Sequence, residues 1–274
     1  MKEAKETAGQ GILYKAGAFD FQKALMITIS DASWANDEKI IDDKVFPRRS
    51  QYGRITALSH QNLWDGDEGL IHIIGWKSGL IKRTCRSTFR AETHGMIYAK
   101  EASDSIRALI TDLRGRFPDR RSDPGRNTQD VIRGDWETIC ANEVRNVWMT
   151  DCQSLHDYLI NPVAQGSEDK RLEIDLESLR ECLWEHDNGQ LKDEITENQK
   201  DKPRWIDTST MLCDPLTKTG PVNFCARLRS AMTSGVLSLV PTVGSQMKKL
   251  QQQKARLGKI LSKDSSNKDF EDNV

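Results

Sequence analysis

The chain has 274 residues, of which 37% are hydrophobic and 30% charged, with a formal net charge of −1. That length holds one large domain or two small ones with ample core, and the composition is polar without being that of a disordered chain. The near-neutral balance excludes a globally basic nucleic-acid binder, so any attraction to nucleic acid has to come from local patches.

Six cysteines (Cys85, Cys140, Cys152, Cys182, Cys213, Cys225) include no C-x-x-C pair. This argues against a zinc module or a disulfide framework and for a reducing, intracellular setting, cytoplasmic or nuclear. The start, Met1-Lys2-Glu3-Ala4-Lys5-Glu6, is too charged for a secretory signal. No apolar run approaches the ~20 residues of a membrane helix. The expectation is a protein neither secreted nor membrane-spanning.

In chain order, residues 1–22 carry Gly9, Gly11 and Gly17 with little periodicity and read as a lead-in segment. The main domain is expected over residues 23–240. Ala24 to Ser30 is a β-rich apolar run that suits a strand buried on both faces and ends at Asp31. Arg54–Ser59 and Leu70–Lys77 read as two further strands, linked closely enough for an antiparallel meander.

The longest helical pattern runs from about Phe89 to Leu113, with Ser87 or Thr88 as N-cap. Glu92, Met96, Ala99, Ile106, Ile110 and Leu113 share one side of it at helical spacing, and Gly95 permits close approach of helix to sheet. Residues 114–135, rich in Arg, Asp, Pro and Gly, read as a polar insertion loop. A strand over Val144–Met149, helices over Cys152–Ile160 and Lys170–His186, a short strand over Lys202–Ile206 and a last helix over Ser209–Met232 follow. Residues 241–274 read as a tail, basic over Gln246–Ser262 and then polar, partly helical or disordered and detachable. These elements imply an α/β fold, a mixed sheet with helices packed on its faces.

Four acidic residues fall at element ends: Asp31, Glu92, Asp151 and Asp214. Clustered carboxylates with substrate phosphate make a magnesium site, and two such ions about 4 Å apart can hold both attacking and leaving oxygens in phosphodiester cleavage. Taken singly, each has a plainer reading. Asp151 and Asp214 suit helix caps, the latter with Pro215 behind it. Glu92 suits a helix amino terminus, and Asp31 a turn.

The local sequences weigh against four separate accidents. They are Ser30-Asp31-Ala32-Ser33-Trp34-Ala35, Ser87-Thr88-Phe89-Arg90-Ala91-Glu92, Thr150-Asp151-Cys152-Gln153-Ser154-Leu155 and Leu212-Cys213-Asp214-Pro215-Leu216-Thr217-Lys218. In this order they resemble the ribonuclease H domain of copia-type retrotransposon Pol polyproteins, with its S-D-A-x-W-A, S-T-x-x-A-E, x-D-N-Q-S and x-A-D-x-x-T-K motifs. Trp76-Lys77-Ser78, and Lys170-Arg171 with Ile174-Asp175, add to the likeness, which covers roughly residues 24–232. Cys152 stands where the family usually has Asn, and Cys213 where Ala is common.

The resemblance implies a ribonuclease H-like fold: a five-stranded mixed sheet, three antiparallel strands then parallel additions. It implies an endonuclease that hydrolyses the RNA strand of RNA–DNA hybrids with two Mg2+ or Mn2+ ions and no small-molecule cofactor. By it Asp31, Glu92, Asp151 and Asp214 are the catalytic, metal-binding carboxylates, Asp31 is shared by both ions, and Glu92 lies near the RNA 2′-OH. A reverse transcriptase encoded upstream is an expected partner. The chain itself carries neither a Tyr-x-Asp-Asp polymerase motif nor an integrase-like His/Cys set. The alternative is a catalytically inactive relic that retains the fold, with or without nucleic-acid binding.

Lys82, Arg83, Arg86 and Arg90 form a basic cluster ahead of Glu92, suited to phosphate or to a solvated face. Trp34 is expected in the core rather than beside substrate, and Trp76, Trp148, Trp184 and Trp205 likewise in the core. Asp175 and Asp207 are secondary acids, Asp207 being the main rival to Asp214 as fourth ligand.

Overall fold

Alternation along the first apolar run decides the layering. In a computed structural model, which describes residues 11–37, 40–41, 44–45, 49–115, 136–161, 169–183, 186–187, 190–191, 201–218 and 225–251, that run is strand β1 (Leu25–Asp37). It pairs antiparallel with β2 (Arg49–Ser59), which pairs antiparallel with β3 (Glu68–Leu80). On its other side β1 pairs in parallel with β4 (Asn146–Thr150), and β4 with β5 (Asp201–Trp205). A three-residue strand, β6 (Val236–Ser238), adds antiparallel to the outer edge of β3. The sheet order is β6-β3-β2-β1-β4-β5.

The mixed α/β architecture and the antiparallel opening meander agree with the sequence reading, but the sheet has six strands rather than five. The sixth escapes notice because three residues carry no readable period. It follows Gly235, whose φ of 65° closes the preceding helix in the left-handed conformation that glycine adopts freely. Two two-residue ladders, 40–41 with 44–45 and 186–187 with 190–191, lie apart from the main sheet.

Odd and even residues of β1 face different layers. Leu25, Ile27 and Ile29 join Ile55, Val147, Met149, Leu212, Cys213, Ala231 and Leu237 on one side. On the other face Met26 meets Ile110, and Ala32 meets Ala91. Both partners come from α1 (Thr88–Leu113), which starts at the Ser87 cap, where the Ser87 hydroxyl accepts from the Arg90 N–H. Trp148, fully buried, fills the space between α1 at Met96, α3 (Gln153–Ile160) and α4 (Lys170–Arg180). Each such buried large side chain contributes roughly 1.5–3 kcal/mol through apolar burial.

Two expected elements change on this scaffold and one is added. The helix over Lys170–His186 ends at Arg180, and His186 stands in one of the short ladders. A helix over Trp136–Glu143 (α2), absent from the sequence reading, precedes β4. The single helix over Ser209–Met232 is instead a 3-10 turn at Thr208–Thr210, a one-turn α5 (Asp214–Thr217) and α6 (Ala226–Ser234). Pro215 sits in the first turn of α5, which tolerates it, and Gly220-Pro221 in the sequence opposes continuous helix between α5 and α6.

The insertion over 114–135 falls outside the described residues beyond Gly115, as does the tail beyond residue 251. Its first part, 243–251, is helical (α7). Among the described residues no helix is long and apolar enough to cross a membrane.

Candidate metal centre

The parallel register brings the first two acids level. Ile29 of β1 pairs with Met149 of β4, so two residues further on Asp31 and Asp151 stand side by side. Asp31 does not end its strand, as the sequence suggests: β1 runs on to Asp37, antiparallel to β2, with Asp31 opposite Gly53. Asp151 directly follows the last residue of β4.

Glu92 reaches the same point from the helix on the sheet's other face. It lies in the second turn of α1, one step beyond the expected first turn, and its Oε1 accepts from the Ala32 N–H at 3.2 Å. One carboxylate oxygen from each of Asp31, Glu92 and Asp151 lies within 4.8 Å of the others.

Neither plain capping role for Asp151 or Asp214 is realised. The N-caps of α3 and α5 are Cys152 and Cys213, and neither makes a side-chain cap bond. Instead the Thr150 hydroxyl accepts from the Cys152 N–H at 3.1 Å, which leaves the Asp151 carboxylate free of that task. Asp151 is linked to the Thr208 side chain.

Asp214 stands next to the trio rather than within it. Its Oδ1 accepts a hydrogen bond from the Lys218 ammonium, and the same ammonium lies 3.4 Å from Asp31 Oδ1. Asp31 Oδ2 accepts from the Thr217 hydroxyl. Both carboxylate oxygens of Asp31 are therefore engaged from the α5 segment.

That segment comes so close because Gly53 has no side chain. A Cβ there would stand 2.7 Å from Leu216 Cβ, 2.9 Å from Thr217 Cγ2 and 3.1 Å from the Cys213 carbonyl. Thr217 and Lys218 appear in the sequence motif but not among the expected site residues, and Gly53 lies outside every motif. What marks it is a strand glycine, a residue that often signals close approach of another backbone.

Charge crowding shows in the proton affinities. Burial first, then the Asp31 and Asp151 carboxylates, hold Glu92 well above the ordinary glutamate range. Burial and Asp31 push Asp151 up to about 6. Asp214 is also raised, mainly by burial. Burial alone would lower Lys218, but the Asp31 and Asp214 carboxylates outweigh it and hold the ammonium above the usual lysine value.

Glu92 Oε2 is buried and has no hydrogen-bond partner. A buried carboxylate oxygen without a donor costs free energy unless a cation meets it. Three hard oxygen donors from three elements, one of them unsatisfied, suit magnesium or manganese. The donor set fits a divalent ion.

The remaining candidates lie elsewhere. Asp207 is held by the Ser209 N–H, the Ser245 hydroxyl and the Lys249 ammonium, the last at 2.6 Å, and stands apart from the acidic trio. Arg90 is buried and paired with Asp169, so it ties α1 to the start of α4. Arg83 pairs with Asp175 at 2.8 Å. Lys82 and Arg86 are exposed on the loop before α1.

Two tryptophans expected in the core are at the surface. Trp34 is 44% exposed, with its Nε1 donating to the Cys85 carbonyl, and Trp76 is 58% exposed. Each lies beyond the inner half of its strand, where the sheet face is no longer covered. Trp148 is buried and Trp205 half-buried, whereas Trp184 falls outside the described residues.

No protein-family profile and no curated protein matches the sequence. Among solved structures the chain is similar to the N-terminal RNase H domain of Rv2228c from Mycobacterium tuberculosis, determined as a fusion protein with maltose binding protein. The two share 10% identity over 76% of this chain and 99% of that chain, with a TM-score of 0.34.

Proposed function

We propose that the chain is a ribonuclease H-like, metal-dependent endonuclease that hydrolyses the RNA strand of RNA–DNA hybrids and derives from a copia-type retrotransposon. The observation that carries this reading is the meeting of Asp31, Glu92 and Asp151, far apart in sequence, within 4.8 Å around an unsatisfied buried oxygen. The four ordered motifs that resemble the copia-type domain supply the choice of substrate.

In this reading Asp31, Glu92 and Asp151 hold the first of two Mg2+ or Mn2+ ions, and Asp214 contributes to the second. Bound divalent ions supply Lewis acidity: a more acidic water and compensation of charge on the scissile phosphate. The chain's own residues do the positioning. Thr217 fixes one oxygen of Asp31, the Ala32 N–H fixes one oxygen of Glu92, and both leave a carboxylate edge directed at the cluster. Water-poor surroundings strengthen the cluster's attraction for a cation. Lys82 and Arg86, with Arg83, are the cations available to phosphates of a hybrid, and the exposed faces of Trp34 and Trp76 suit stacking or sugar contact.

The test is cleavage of an internally labelled RNA–DNA hybrid in Mg2+ or Mn2+ by the chain and its Asp31→Asn variant. Internal RNA products are expected from the wild type. The variant should lose at least about 100-fold, since loss of groups that merely orient metal ligands already costs 10–100-fold. Equal rates for the two proteins would refute a catalytic role for the cluster, and hybrid binding without cleavage in either metal would select the inactive alternative.

A further inference from the structure

The metal reading leaves one charged group at the cluster without a role. Lys218 directly follows α5 and places its ammonium against one oxygen of Asp31 and one of Asp214, carboxylates from two different elements. That is how a bridging cation sits. Of the neighbouring trio Lys218 is bonded to Asp31 alone, and Glu92 Oε2 has no partner.

We propose that the Lys218 ammonium is a tethered cation occupying the second ion's place. The site then takes one divalent ion at Asp31, Glu92 and Asp151, and a second only by displacing Lys218 from Asp31 and Asp214. The inference rests on the metal reading and deepens it by assigning an order to the two ions.

Three features of the site favour this arrangement. Lysine is a compact, strongly hydrated charge with three donors on a flexible stem, which suits reversible replacement of an ion. Its side chain is 34% exposed, so a path to solvent is open when an ion arrives. Its anchor is firm. Thr217 is bonded to Asp31, and α5 lies against the bare backbone of Gly53, so the ammonium returns to the same place when the ion leaves. A single charge on a tether neutralises part of the Asp31–Asp214 repulsion without matching a divalent ion's field. The first ion therefore meets the ammonium at Asp31 alone, and the second meets it at both Asp31 and Asp214.

The experiment is Mn2+ binding to the full chain, followed by the electron paramagnetic resonance of free Mn2+ and by calorimetry, without nucleic acid. The proteins are the wild type, Lys218→Met, Lys218→Gln and Glu92→Gln. The wild type should bind one ion well and a second more weakly. Both Lys218 variants should tighten the second site by about tenfold, as expected for removing a competing unit charge, with the first site changed less. Lys218→Gln keeps hydrogen-bond donors, so a shift in both variants cannot be traced to a collapsed α5 segment.

Unchanged or weakened second-site binding in both variants would overturn the inference. It would leave the metal reading intact as long as Glu92→Gln still loses the first site. Absence of Mn2+ binding in all four proteins would overturn the metal reading itself, and this inference with it.

Discussion

Helix α1 carries two sets of buried charge, separated by about 22 Å of helix, and they are built on opposite plans. Near its carboxyl-terminal half, Arg107 meets Asp201 through two hydrogen bonds at 2.6 and 3.0 Å, reaches Asp104 at 3.3 Å, and donates from Nε to the Val144 carbonyl. Lys100 adds a further cation to Asp104 at 2.9 Å. Near its amino-terminal half, Glu92 faces Asp31 and Asp151 with one oxygen unsatisfied. The first set lies at the amino ends of the parallel strands β4 and β5, and the second beyond the carboxyl end of β4, where open α/β sheets bind ligands.

The difference separates a structural charge from a functional one. At the Arg107 end every charge has an opposite neighbour, and burial lifts Asp201 to about 6, still below neutrality. At the Glu92 end, acid is packed on acid. Such packing destabilises the chain by itself and is explained by something the site binds.

The largest break in this contrast comes from Arg107→Met. Removing one partner of a fully buried pair strands Asp201 and leaves Asp104 with Lys100 alone, and the expected loss is about 3–5 kcal/mol. Urea unfolding at pH 7 measures it. A loss below about 1 kcal/mol would show that the two ends of α1 do not differ in kind.

Next in size is Gly53→Ala, which adds no charge. The new Cβ would stand 2.7 Å from Leu216 Cβ and 3.1 Å from the Cys213 carbonyl, so α5 has to move. Overpacking of this kind costs about 1–3 kcal/mol. Because Thr217 of α5 holds one oxygen of Asp31, the variant should also weaken Mn2+ binding at the first site. A variant of full stability and unaltered Mn2+ affinity would show that α5 does not depend on that close contact.

Asp31 and Asp151 are legible because each sits in a short motif at the end of an apolar run, and Glu92 because its motif opens the longest helical pattern. Their meeting is not local information: it depends on the Ile29–Met149 register and on helix α1 crossing the opposite face. Gly53 and Lys218 act through contacts between segments about 160 to 190 residues apart in sequence, and no period or cap signals such a contact. The exposed Trp34 and Trp76 mislead for the converse reason. A tryptophan in a strand is usually covered, and only the extent of the covering layer decides otherwise.

Smaller, and opposite in sign to Arg107→Met, is the effect of Glu92→Gln on the metal-free chain. The folded-state pKa of Glu92 is raised, so the folded chain binds more protons than the unfolded one between the two values. Its carboxylate therefore costs stability as pH climbs through that window, and the cost persists above it. Glu92→Gln should stabilise the chain at pH 8 by about 1 kcal/mol, with the gain shrinking as pH falls through the raised folded value and gone below the ordinary glutamate value. With saturating Mn2+ the order should reverse, because a ligand at 100 times its Kd stabilises the native state by about 2.7 kcal/mol. A wild type more stable than the variant at every pH without metal would contradict acid packed on acid.

The smallest expected effect concerns the first helical part of the tail. Lys249 of α7 pairs with Asp207 and lies 4.3 Å from the centre of the Trp205 ring, whose Nε1 donates to the Asp151 carbonyl. Burial would raise Asp207, but bonds from Lys249, Ser209 and Ser245 outweigh it and hold the carboxyl well below the ordinary aspartate range. A depressed carboxylate contributes stability above its unfolded pKa and loses it as pH falls through the folded value. Lys249 is half-exposed, so solvent screens much of the attraction. Lys249→Ala should cost about 0.5 kcal/mol at pH 7 and low salt. The cost should fade in 1 M salt and, at low pH, as the pH falls through the depressed folded value of Asp207. An undiminished cost under both conditions would mean that Lys249 acts by packing its stem on Trp205, with the charge incidental.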